Sequence, residues 1–127
     1  MQDVKFYRCT LCGNVVEKIV NGGGTLSCCG KEMEELVPNS TSAAQEKHVP
    51  VYETLDNGEM LVRVGSIEHP MTAEHHIGWI AVAYEDVVIR KELAPTSAPQ
   101  AVFSIPEGYH GKIYAWCNLH GLWSADF

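Results

Sequence analysis

The sequence has no apolar run longer than the stretch from Ile77 to Tyr84. A membrane-spanning helix needs about 20 such residues, so no span is expected. Basic residues are not in excess. Nine Lys+Arg stand against 16 Asp+Glu, a formal net charge of −7 at pH 7. That balance argues against nucleic acid as the main partner. The start, Met1-Gln2-Asp3-Val4-Lys5, lacks the basic cluster and apolar core of a secretory leader, so a cytoplasmic setting is expected. The cysteine count is not even. Five cysteines without an export signal argue against a disulfide framework, and for metal or thiol chemistry in a reducing compartment. A convincing helical period is missing too.

What remains is ordinary for a folded chain: 127 residues, 46% hydrophobic and 20% charged. That size fits one domain, or one small domain joined to a module of about 80–100 residues. The texture divides the chain. Residues 1–37 hold Cys9, Cys12, Cys28 and Cys29 but few large apolar side chains, so a metal staple is expected there. Residues 38–45, Pro-Asn-Ser-Thr-Ser-Ala-Ala-Gln, read as a linker. From 46 to 127, β-favouring runs alternate with turn signals. Strands are expected near Val49–Leu55, Met60–Ile67, Ile77–Tyr84, Asp86–Leu93, Ala101–Ile105, Gly111–Cys117 and Leu122–Ala125. Asp56-Asn57-Gly58 is a hairpin signal. Alternation is clear in Met60, Val62 and Val64, and in Ile113 and Ala115. The expected fold is all-β: a small metal domain, then a seven-stranded immunoglobulin-like sandwich.

The N-terminal cysteines follow the pattern C-x2-C, then fifteen residues, then C-C. Four thiols this close form a metal signal, and tetrahedral sulfur sites hold zinc or iron. Gly13 after Cys12 lets backbone amides turn toward the sulfurs. Adjacent Cys28 and Cys29 must splay to reach one ion, so a distorted tetrahedron is expected. A structural zinc site and a vicinal disulfide are the plainer readings.

The larger part carries His48, His69, His75, His76, His110, His120 and Cys117. Strand ends and loops of such a sandwich converge at one end, so a second metal site is expected. The residues alone do not say which histidines bind. His75 and His76 point opposite ways if extended, so one of them is expected to bind. His110 sits in a glycine-rich turn and is the first bystander. Several imidazoles with one thiolate suit iron or copper better than structural zinc. Trp79, Trp116 and Trp123 are read as packing residues.

Four separated motifs then carry a resemblance across essentially the whole chain. They are the N-terminal cysteines with adjacent Cys28-Cys29, Glu46-Lys47-His48-Val49-Pro50-Val51, His69-Pro70-Met71 followed by His75, and Cys117-Asn118-Leu119-His120-Gly121. The chain resembles desulfoferrodoxin, the two-iron class of superoxide reductase. The resemblance implies a desulforedoxin-like Fe(Cys)4 centre at Cys9, Cys12, Cys28 and Cys29. It implies a second iron held by His48, His69, His75 and His120 in a plane with Cys117 axial, leaving His76 and His110 outside. It puts Glu46 and Lys47 beside the open position, Lys47 guiding superoxide and Glu46 closing the site on the resting ferric ion. It implies a homodimer and a small rubredoxin-type electron donor. The four-cysteine centre is left open between an electron relay and a staple. The rival readings are a rubredoxin-like electron carrier and a metal-stabilised binding module.

Overall fold

The structure, a computed structural model, describes residues 4–127. Two compact units divide at residue 37.

In the first unit, β1 (Phe6–Arg8) pairs antiparallel with β2 (Val15–Glu17) on one side and β5 (Glu34–Glu35) on the other. A separate hairpin joins β3 (Ser27–Cys28) to β4 (Lys31–Glu32). Its apolar interior is small: Phe6, Cys9 and Met33 are its buried hydrophobic residues among those described. So few side chains bury too little surface to hold a fold of this size without a cross-link.

The second unit is the β-sandwich. One sheet runs β10 (Gln100–Phe103), β7 (Met60–Val64), β6 (Pro50–Thr54). The other runs β12 (Gly121–Asp126), β11 (Lys112–Cys117), β8 (Ile77–Tyr84), β9 (Val87–Glu92). Every pairing is antiparallel, and the seven strands fall where the sequence pattern puts them. The period-two rows explain the packing. Met60, Val62 and Val64 of β7 meet Ile80 and Val82 of β8 and Ile113, Ala115 and Cys117 of β11 in one core. Cys117 is the last member of the β11 row and is fully buried.

Two features were not visible in the pattern. A single turn, α1 (Gln45–His48), precedes the first strand of the sandwich, where the sequence reading has only a strand start. Four residues are too few to show a helical period. The β8–β11 register also slips between Trp116 and Cys117, so that Cys117 faces Ile77 and Gly78 is left over as a bulge. A Cβ on Gly78 would lie 2.7 Å from the Trp116 ring, so only glycine fits there. Residues 38–44 carry no helix or strand, but Asn39 is tied to β12 by its backbone and its side chain.

Candidate metal centres

The first cluster is built on two turns. In the first, the Gly13 amide donates to Cys9 O at 2.9 Å and the Cys12 amide points at Cys9 Sγ, 3.5 Å away. Gly13 supplies the left-handed φ of +83° that the turn requires. In the second, Cys29 and Gly30 are the two central residues of the β3–β4 hairpin, with φ of +54° and +71°. Positive φ at both positions is the type I′ turn. This is how neighbouring cysteines come to share a site: Cys28 ends a strand, and Cys29 turns back from the loop. A non-glycine residue in this region costs about 1–2 kcal/mol, which a shared ligand offsets.

The sulfur spacing fits a single ion. Cys12 Sγ lies 3.6 Å from Cys28 Sγ, and Cys28 Sγ lies 3.9 Å from Cys29 Sγ. Four sulfurs placed tetrahedrally about 2.3 Å from an ion are about 3.8 Å apart. The thiols differ in acidity. The Cys12 and Leu11 amides hold Cys9 down to about 6. Hydrogen bonding from Cys12 raises Cys28, and the same partner pushes Cys29 up to about 12. The Cys9 thiolate is therefore ready at neutral pH, whereas Cys28 and Cys29 await a cation.

The second cluster lies at one end of the sandwich, where five strand ends meet. His48 is the last residue of α1, and His69 follows β7. His75 precedes β8, Cys117 ends β11, and His120 precedes β12. Donor atoms of His48, His69, His75 and Cys117 all lie within 4.8 Å of one another. His120 joins them: its Nδ1 is 3.1 Å from His48 Nε2 and 3.9 Å from Cys117 Sγ.

The four rings stand near the corners of a square. Going round, the centroids are 4.7 Å apart for His48–His69, 4.6 Å for His69–His75, 5.0 Å for His75–His120 and 4.9 Å for His120–His48. Neighbouring rings are nearly perpendicular. The diagonal from His48 to His75 is 6.3 Å, close to what those sides require.

Hydrogen bonding fixes which nitrogens are free. His48 Nδ1 donates to Ala44 O and His69 Nδ1 donates to Pro70 O, both at 2.7 Å. A carbonyl only accepts, so each of these neutral rings keeps a bare lone pair on Nε2. Those two Nε2 atoms face each other at 3.2 Å. His75 Nε2 is buried with no hydrogen-bond partner. Lone pairs aimed at one another, beside an orphaned buried nitrogen, call for a cation between them. Two nitrogens about 2.1 Å from one ion and at right angles are about 3.0 Å apart, so the residues fit a metal.

Burial keeps three of the imidazoles, those of His48, His69 and His75, neutral. It lowers His48 and His75 and takes His69 down to about 4. The same desolvation raises the Cys117 thiol. Trp123 walls the site: its ring lies 4.9 Å from that of His48, and its Nε1 donates to His120 O.

Glu46 and Lys47 are exposed on α1, two residues and one residue before His48. The Lys47 charge lowers both His48 and His75, so its field reaches the cluster. The remaining histidines lie outside it. His76 donates from Nδ1 to Thr72 O, and His110 lies by Phe127 O. Trp79 is buried and Trp116 stacks on it, at 6.4 Å, in a cross-strand pair.

Two positioning residues carried no sequence signal of their own. A Cβ on Gly65 would lie 2.6 Å from Glu46 O and 2.9 Å from the Lys47 carbonyl carbon, so glycine lets α1 seat against the end of β7. Asn118 bonds the chain on both sides of His75. A glycine between a strand and a Ser is common in turns, and an Asn beside a Cys is common anywhere. Neither stands out without the fold.

Residues 40–126 match the family described as Desulfoferrodoxin, and residues 2–36 match Desulfoferrodoxin, N-terminal domain. A desulfoferrodoxin of Syntrophotalea carbinolica is 44% identical over 125 residues, covering 98% of each chain. A superoxide reductase of Pyrococcus horikoshii is 41% identical over 98 residues, spanning 64% of this chain and 85% of its own. Among solved structures, the superoxide reductase from Treponema pallidum superposes with a TM-score of 0.77 at 31% identity. That match covers 98% of this chain and 99% of the other.

Proposed function

The chain belongs to the desulfoferrodoxin family, and on that premise we propose that it is a superoxide reductase, passing one electron to superoxide so that, with protons from solvent, hydrogen peroxide forms. The observation that carries the reading is the near-square of four imidazoles beside one buried thiol. A rubredoxin-like electron carrier or a metal-stabilised binding module would leave that square without a task.

The cofactors are two iron ions per chain. One belongs to Cys9, Cys12, Cys28 and Cys29, the other to His48, His69, His75, His120 and Cys117. Iron held there would supply the electron. The chain does the rest. His48, His69 and His75, held neutral by burial, bring lone pairs without charge. Cys117 brings the one anionic donor once its proton leaves. Lys47 draws the anion toward a protein whose net charge repels it. The Glu46 carboxylate, exposed on α1, would close the site between turnovers.

The same reading assigns 1–37 to the Fe(Cys)4 domain, 38–45 to the joining segment and 46–127 to the catalytic domain. It brings a homodimer, a rubredoxin-type electron donor and a cytoplasmic setting. What supports the last is that none of the five cysteines is paired in a disulfide.

The test is anaerobic rapid mixing of the ferrous chain with a pulse of superoxide. One peroxide per oxidised second-centre iron, with no dioxygen, is the expected result. Dioxygen evolution would make the protein a dismutase, and no oxidation would overturn the assignment.

A further inference from the structure

His48 and His69 are each oriented by a bond from Nδ1 to a backbone carbonyl, whereas the His75 ring makes no such bond to a carbonyl of the described residues, and its Nε2 is buried without a partner. The place of His75 must be set by the chain around it. Thr72 folds the loop locally: its Oγ1 accepts from the His75 amide at 3.0 Å, and its own amide donates to His75 O at 2.9 Å. That fixes the loop's shape but not its distance from the rest of the site.

Asn118 supplies the missing strut. Its Oδ1 accepts from the His76 amide at 2.9 Å, and its Nδ2 donates to Glu74 O at 2.9 Å. Its backbone amide donates to His76 O at 3.2 Å. One residue thus holds both chain neighbours of His75, across more than forty residues of sequence. Asn118 is also bonded directly to Cys117 and lies two residues before His120. A side-chain amide suits this work because it accepts and donates from one rigid plane, like another peptide group. An ionised carboxylate only accepts, and alanine does neither.

We propose that Asn118 is the positioning residue that sets His75 against Cys117 and His120, and so fixes the size and rigidity of the second metal centre. This rests on the superoxide-reductase reading for the identity of the ion. Residues behind metal ligands typically account for 10–100-fold in metal affinity, and a strut gripping both sides of one ligand belongs in that range.

The experiment compares the iron-loaded parent chain with Asn118→Ala and Asn118→Asp by challenge with a chromogenic ferrous chelator. Release from the histidine centre should be about tenfold faster or more in Asn118→Ala. Asn118→Asp, which keeps the bond to the His76 amide, should fall between. Release from the four-cysteine centre should not change, giving a control within each molecule. The thiolate-to-ferric absorption band should shift in Asn118→Ala, because a ligand has moved. Unchanged release and an unchanged band, with only a lower melting temperature, would overturn the proposal. If Asn118→Ala fails to fold, Asn118→Asp decides, and parent-like release overturns it. A parent chain that takes up no iron at the histidines would overturn the reading beneath. Iron held equally by all three chains would overturn the role of Asn118 alone.

Discussion

The Nε2 atoms of His48 and His69 face each other at 3.2 Å while both Nδ1 atoms donate to carbonyls. Neither ring can rotate to relieve this without giving up a short hydrogen bond. Metal uptake therefore meets histidines that are already deprotonated and aimed. Burial lowers His48, His69 and His75 and raises Cys117. At neutral pH the three imidazoles have no proton to give, and Cys117 has one. Iron binding at this centre should release about one proton from Cys117 and none from those three rings. Calorimetry in buffers of different ionisation enthalpy reads that number. At the four-cysteine centre Cys28 and Cys29, both raised, should add their protons, while Cys9 near 6 adds almost none at pH 7 or above.

The same shifts set the acid stability of the iron-free chain. A histidine whose pKa is lower folded than unfolded binds more protons when unfolded, so stability falls as pH falls. For His69 the window runs from about 6.5 down to about 4. His48 and His75 act in the same direction from the same upper limit. The second unit should melt at nearly constant temperature above pH 7 and at falling temperature below 6.5. Circular dichroism melts between pH 4 and 8 check this. A melting temperature that rises toward pH 5 would contradict it.

Gly65 offers a different kind of test, because it touches no ligand atom. A methyl group there would press on the backbone of Glu46 and Lys47, at 2.6 and 2.9 Å. The Glu46 carbonyl is also fixed by the Ile67 amide at 2.9 Å. Gly65→Ala should cost about 1–3 kcal/mol as overpacking. It should also displace α1 and with it His48. Iron retention at the histidine centre should fall with the melting temperature, whereas Gly22→Ala, where a Cβ would meet nothing within 4 Å, should change neither.

How far the sequence reaches can be judged at particular residues. Met60, Val62 and Val64 announce an inward row because a strand repeats every two residues, and the core contains all three. Asp56-Asn57-Gly58 marks the hairpin between β6 and β7 because its chemistry is local. The C-x2-C and C-C spacings expose a sulfur cluster for the same reason. Gly65, Gly78 and Asn118 stay silent because their reasons are distant. Each answers to a partner far away in the chain: the α1 backbone, the Trp116 ring and the carbonyl of Glu74. Cys29 lies between the two cases. Its adjacency to Cys28 signals splay, but the I′ turn that achieves it depends on β3 pairing with β4.

Lys47 is exposed, and its charge is felt at His48 and His75. In a chain of net charge −7 the long-range field repels an anionic substrate. A cation on α1 beside His48 should therefore affect encounter more than affinity. Lys47→Ala should slow the second-order reaction with superoxide by up to about tenfold at low salt. Parent and variant should converge as ionic strength rises, because the screening length falls to about 8 Å at 0.15 M. Pulse radiolysis over a salt series reads both. Identical rates and identical slopes would remove Lys47 from the mechanism.

The four-cysteine centre can be separated from catalysis by removing one sulfur. Cys12 is exposed, and its Sγ is 3.6 Å from Cys28 Sγ. Cys12→Ser leaves a weaker oxygen donor where tetrahedral iron needs a thiolate. With Phe6, Cys9 and Met33 as the buried apolar residues of that unit, little else holds it. Loss of the metal should therefore unfold residues 4–37 and leave the sandwich folded. Hydrogen exchange should show the amides of β1, β2 and β5 losing protection while those of β8 and β11 keep it. Absorption from the first centre should vanish. If that centre is a staple, the rate of superoxide reduction by pre-reduced protein should stay within about twofold, since the histidine square is built from the other unit's strand ends. If it relays electrons, the first reaction should still proceed but re-reduction by an external donor should slow. The two measurements together choose between staple and relay.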